Sequence, residues 1–367
     1  MKKIKFFAMM IAAALTSFSL AACSDDDDDN KSSNISNTER YQQEVDATVR
    51  SQKTGDKAIL LVAFGSTWQQ AYDAFDLTTK EYKNEFPGYD VYLSFSSAIC
   101  INRAMAAENT DARSFYEPKY WLEAFGRVQY KEVVVQSLQV IPGEEYTRVI
   151  NAMKDFANNS NGDLDDNYLA TMTLKLGYPL MAEYPSDVDA LANALHTNFG
   201  SYASKGAMLF MGHGNPDTYD TYKANIRYTQ LEESLQKLNK NYYVGTVDMK
   251  ENFKTHVHER MVADGLTSGN VYCAPLMSIA GDHAHNDMAG DDDAWDNGYE
   301  YNDEGEVEDT SWKLYFQHMG YSIDADSYTD NKGIVKGLLE FSNVRALYKT
   351  HTRNAETVDY YHSKNPE

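Results

Sequence analysis

His213, Asp248 and His283 stand 35 residues apart, each at the end of a short apolar run. His213 lies between Gly212 and Gly214 after 207–211, Asp248 closes the run 242–248, and His283 follows 270–279 and Ala280-Gly281-Asp282. Where such runs are parallel strands joined by helices, ligands bind outside the carboxyl ends of the strands. Two imidazoles and a carboxylate meeting there make a mixed nitrogen and oxygen set that suits a borderline divalent ion, Co, Ni, Fe or Zn, and leaves positions open for a substrate. Taken singly, each has a plainer role: a hydrogen-bonded loop histidine or, for Asp248, a helix cap. The shared interval favours a common site. His256 and His258, two apart on an expected helix, cannot share a face and are expected at the surface. His285 reaches the ion of His283 only if its loop is extended.

The elements that must carry these residues follow from the apolar pattern. The run 58–64 ends at Gly65-Ser66-Thr67, and 68–86 then has helical spacing up to Pro87-Gly88, which is a strand, a turn and a helix. Further strands are expected at 89–95, 132–140 and 168–174, with helices at 117–128 and 144–157. A second set has helices at 187–199, 230–239 and 254–264 between the three runs named above. The expected fold is α/β, two similar doubly wound parallel-sheet domains over 56–184 and 185–350, followed by a polar tail, 351–367. No close internal repeat is visible, so a duplication would show in topology rather than in sequence.

The chain has 367 residues, enough for about two domains. Its formal charge of −22 and the absence of a basic patch argue against nucleic acid as a partner. Lys2, Lys3 and Lys5 precede a short apolar run, so 1–22 reads as a leader rather than a membrane span. Leu20-Ala21-Ala22-Cys23 resembles a lipobox, which makes Cys23 the lipidation site and the membrane a partner through a lipid anchor. Asp25 to Asp29 resemble the acidic export tag of surface lipoproteins, and 23–55 is an acidic, polar tether with one helix at 39–51. The expected location is the outer membrane, as a lipoprotein that faces the periplasm or the cell surface. Cys100 and Cys273 are expected as buried, unpaired thiols.

Ile141-Pro142-Gly143-Glu144-Glu145-Tyr146, Met211-Gly212-His213-Gly214 and the long stretch from Ala280-Gly281-Asp282-His283 to Asp291-Asp292 resemble the signatures of the anaerobic sirohydrochlorin cobaltochelatases. Val62-Ala63-Phe64-Gly65-Ser66 joins them, and the likeness spans about 57–347. The resemblance implies a class II chelatase fold related to ferrochelatase, with a tetrapyrrole cleft between the two domains. It makes His213 and His283 metal ligands and His213 the proton acceptor, and places Phe64, Gly65, Ser66 and Glu144 at the substrate. Where the family has a glutamate, Thr246-Val247-Asp248 offers a shorter carboxylate, with Glu251 as fallback. The acidic stretch 295–310 looks inserted, and His285 replaces an apolar residue. The implied activity is insertion of a divalent metal, Co2+ before Ni2+, Fe2+ or Zn2+, into a tetrapyrrole. The alternative is a surface lipoprotein that captures haem, a corrinoid or metal without chelation. A homo-oligomer is left open. Arg103, Arg113 and Lys119 are candidates to offset the negative field around a carboxylate-rich substrate.

Overall fold

In the computed structural model the described residues are 35–107, 112–220, 222–323 and 336–357. The leader 1–22, Cys23 and Asp25 to Asp29 lie outside them. In chain order the first half comprises α1 (Asn37–Gln52), β1 (Lys57–Ala63), α2 (Gln69–Glu85), β2 (Asp90–Phe95), α3 (Ala98–Met105), α4 (Pro118–Arg127), β3 (Glu132–Ser137), α5 (Glu144–Ala157), α6 (Asp166–Leu169) and β4 (Thr173–Gly177). The second comprises α7 (Ser186–Ala203), β5 (Ala207–Gly212), α8 (Ile226–Leu238), β6 (Tyr242–Thr246), α9 (Lys254–Ala263), β7 (Gly269–Leu276), α10 (Trp312–His318), β8 (Tyr321–Ile323), α11 (Ser342–Arg353) and β9 (Glu356–Thr357). One wide π-type turn, Ala284–Met288, follows β7.

The strands are apolar on both faces because helices cover both. In β1, Ile59, Leu61 and Ala63 enter one apolar layer, and Ala58, Leu60 and Val62 enter another. In β5, Met208 and Phe210 join the first of these layers, while Ala207, Leu209 and Met211 enter a third. The two sheets therefore share a middle core, filled by α2, α7, α8 and α11, and the described residues from Thr38 onward cluster as one compact unit.

The first sheet has strand order β2-β1-β3-β4-β9 and the second β6-β5-β7-β8. All neighbours are parallel except β4 and β9. In each half the first strand lies between the second and third, so the expected similarity appears in topology. Each sheet has one point where the strand order reverses, between β1 and β3 and between β5 and β7, the position at which such sheets bind ligands.

Several elements differ from the sequence reading. The strand expected at 168–174 begins at Thr173. Asp165 caps α6 by accepting from the Asn167 N–H, and the Tyr168 hydroxyl donates to the Tyr130 carbonyl, so these residues plug the lower edge of the sheet. The turn α3, α10 and α11 were not anticipated as helices. Residues 351–357, expected in the polar tail, complete α11 and form β9, which pairs with β4. From the second half, α11 thus crosses back to the first sheet, where the Tyr348 hydroxyl donates to the Leu138 carbonyl at 3.0 Å.

Candidate active site

The loops after β1 and β3 form one wall of the site. Gly65 sits at φ +123°, and a Cβ there would lie 2.8 Å from both Phe95 and Cys100, so glycine is required for the chain to turn this tightly. The turn leaves the Phe64 ring 44% exposed and buries Ser66, whose hydroxyl oxygen accepts from the Trp68 N–H at 3.2 Å. After β3, Gly143 approaches the second half so closely that a Cβ would lie 2.6 Å from the Asn215 side chain. Gly143 caps α5, whose first turn carries Glu144 and Glu145.

The loops after β5, β6 and β7 form the facing wall. Gly212 and Gly214 flank His213 because a Cβ on Gly212 would collide with Tyr228 at 2.4 Å, and Gly214 holds φ +80° against Met249. Main-chain bonds staple this loop to the next: the Asp248 N–H donates to the His213 carbonyl at 2.9 Å. Asp248 Oδ2 consequently stands 3.4 Å from His213 Nδ1. His283 opens the turn after β7, and its ring meets that of His213 edge to face, with centroids 4.7 Å apart. The two histidines lie at the strand-order reversal of the second sheet.

Hydrogen bonding assigns the imidazole tautomers. His213 Nδ1 lies 2.7 Å from the Gly214 carbonyl, which only accepts, so Nδ1 carries hydrogen and the lone pair is left on Nε2. His283 Nδ1 lies 2.5 Å from Asp287 Oδ2, which does the same for that ring. A carbonyl or carboxylate behind the ring is the usual way of orienting a metal-binding histidine. Burial alone would depress the His283 pKa, but Asp287, by hydrogen bond and charge, with Asp248 and Asp282, raises it above the ordinary histidine value.

His213, Asp248 and His283 are thus brought together as neighbours in pairs. Among the described residues, no three His, Cys, Asp or Glu side chains already converge as a metal-holding group. Asp248 stands on the Nδ1 side of His213. Glu251 is exposed on a left-handed backbone, φ 62°. His285 does not point toward His213: the turn is helical rather than extended, and places His285 in a stack on Trp68, centroids 3.9 Å apart. His256 and His258 are half-buried, not surface residues; His258 packs its ring against Tyr315, Phe316 and Tyr321.

One carboxyl group escaped the sequence reading. Glu145 Oε2 is buried, Oε1 lies 3.7 Å from Arg148, and Ser96 adds a side-chain hydrogen bond to the carboxyl. Burial raises the Glu145 pKa, against the opposing charges of Arg148 and His213. Successive residues on a helix point about 100° apart, and the Glu144-Glu145 pair carries no local sign of which one faces inward. Of the three candidate cations, Arg103 reaches the site wall, 3.5 Å from Asp282, whereas Arg113 pairs with Asp76 and Lys119 with Glu117.

The cobalt chelatase (CbiK) family model matches residues 57–357, a span that includes every wall of this cleft. The chain belongs to this family. It is a metal chelatase, and similar to two curated sirohydrochlorin cobaltochelatases. The Nitratidesulfovibrio vulgaris CbiKC is 31% identical over 243 residues, covering 65% of this chain and 78% of the relative. The Salmonella typhimurium enzyme is 26% identical over 300 residues, covering 82% and 96%. Among solved structures, SirB from Bacillus subtilis with Fe3+ overlays at TM-score 0.49 and 10% identity, covering 81% of this chain and 94% of its own. That overlay is too loose for residue-level comparison.

Proposed function

We propose that this chelatase inserts Co2+ into sirohydrochlorin or a closely related carboxylate-rich tetrapyrrole, and that it does so at the cell envelope, anchored through Cys23. The observation that carries the reading is the facing pair His213 and His283, each with Nδ1 engaged by an acceptor and Nε2 left to bind or deprotonate. The names of the two curated relatives supply the metal and the macrocycle.

Insertion exchanges one ion for two pyrrole N–H protons. The Nε2 atoms of His213 and His283 present the ion, and Asp248 adds a compensating negative charge from behind His213. As ring nitrogens replace water and then His213 Nε2 on the ion, that freed lone pair accepts one pyrrole proton near pH 7, and the second proton leaves to solvent water. Glu145, ionised as a carboxylate before the transfer, accepts that proton from His213, and burial, which raises its pKa, favours the protonated product. Phe64, Gly65, Ser66 and Glu144 line the opposite wall where the ring lies, and the exposed Phe64 face suits a flat substrate.

Mixing the purified protein with sirohydrochlorin and Co2+ and following the absorption spectrum tests the proposal. Conversion to the cobalt macrocycle supports insertion. Tight binding of a finished metallotetrapyrrole with no conversion would overturn it in favour of capture.

A further inference from the structure

The turn that carries His283 is fastened to the opposite half of the molecule. Asp282, immediately before it, accepts from the Trp68 indole N–H at 2.6 Å through Oδ1 and faces Arg103 Nη1 at 3.5 Å through Oδ2. Trp68 opens α2 and Arg103 lies on α3, so both oxygens of one carboxylate are held from the first half. His285, two residues beyond His283, lies flat on the same indole, with ring planes 14° apart. Gly281 completes the contact: a Cβ there would lie 3.8 Å from the Ser66 hydroxyl and 3.2 Å from Ile279, so the turn rests on the loop that carries Phe64.

We propose that Trp68, Arg103 and Asp282 form a clasp across the cleft that positions His283 for the metal ion, with the His285 ring as its stacking pad. They are positioning residues and touch neither ion nor ring. Several observations support this assignment. The second half already holds the chain before the turn through main-chain bonds from Leu338 to Met277 and Leu339 to Ser278, so the clasp is not needed to attach it. The clasp instead governs the few residues from Asp282 to Asp287, whose far end is the Asp287 carboxylate that orients His283. A hydrogen bond to a charged group, in a cleft partly shielded from water, is among the stronger ways to hold such a turn. Loss of groups that orient a metal ligand commonly weakens metal binding ten- to a hundredfold.

The inference rests on His283 being a metal ligand, and the test separates the two. Co2+ is titrated into the full-length protein without tetrapyrrole, with the visible absorption of bound Co2+ as a readout of its coordination. His283→Ala must lose binding. Trp68→Phe keeps an aromatic face for His285 but removes the indole donor, and Asp282→Asn keeps an acceptor but removes the charge facing Arg103. Each is expected to bind Co2+ about tenfold more weakly, with an altered Co2+ spectrum and a lowered kcat, while KM for the tetrapyrrole and the melting temperature stay near those of the parent. If His283→Ala binds like the parent, the ligand assignment falls. If it loses binding while both clasp variants match the parent in affinity and spectrum, the clasp is overturned. A loss of melting temperature with an unchanged Co2+ spectrum also overturns it, because the contact is then only structural.

Discussion

At the residue scale, the site depends on lone pairs being left where an ion can use them. His213→Ala and His283→Ala are each expected to lower insertion by about 100-fold or more, since a catalytic imidazole contributes on that order. Both side chains are more than two-fifths exposed, so the melting temperature should barely move. Asp248→Ala should cost less than either, and Asp248→Glu should retain activity, because a longer carboxylate reaches past His213 toward the ion. Parallel rate and thermal-unfolding measurements check all four variants. Acidity supplies a second prediction. The His283 pKa is raised, so below it a proton occupies the nitrogen that metal needs, and Co2+ affinity must climb with pH through the neutral range and then level off. Asp287→Asn removes the partner that raises it and should move this rise to lower pH. Calorimetric titrations between about pH 5.5 and about pH 8 would show both effects.

At the element scale, the acidic stretch 295–310 is not a loose loop. Lys254, at the start of α9, is buried and donates to Glu306 Oε1 at 2.9 Å and to the Val307 carbonyl at 2.6 Å. The Thr255 hydroxyl bonds the Gly305 carbonyl, and Val307 joins the third apolar layer. Burial raises the Glu306 pKa against the pull of Lys254. Lys254→Ala strands a buried carboxylate and is expected to destabilise the protein by about 3 kcal/mol. The pair Lys254→Met with Glu306→Leu should recover most of the loss. Thermal unfolding of the three proteins decides it; an unshifted Lys254→Ala would mean that the insertion docks without this pair.

At the scale of the whole molecule, α1 joins the body rather than the tether. Val45 and Val49 are buried against the first half, and Asp46 accepts from Arg127 at 3.0 Å. It lies outside the span 57–357 that the family model matches. Under the lipoprotein reading, Cys23→Ala is expected to release the protein from membranes, because acyl chains contribute about 0.8 kcal/mol per buried CH₂. Fractionation after a carbonate wash tests this, and equal retention of the variant would end the reading.

Local pattern in the sequence was enough to reveal most of the strands, though not β8 or β9 and with β4 placed too early, along with the α/β class and the interval that brings His213, Asp248 and His283 to successive strand ends. Apolar runs and alternating burial are properties of neighbouring residues, so they can be read without knowing what packs on them. The family signatures rest on the same short-range text. What required the tertiary structure was every choice between equivalent local options. Only the tertiary structure decides that Glu145 Oε2 is buried, and packing against the first half decides that a helical turn after β7 sends His285 to Trp68. The return of α11 to the first sheet is equally illegible locally, since its partners Leu138 and Gln136 lie some two hundred residues earlier. The shared middle core is the physical reason: it joins segments remote in sequence, and no window along the chain contains both sides of such a contact.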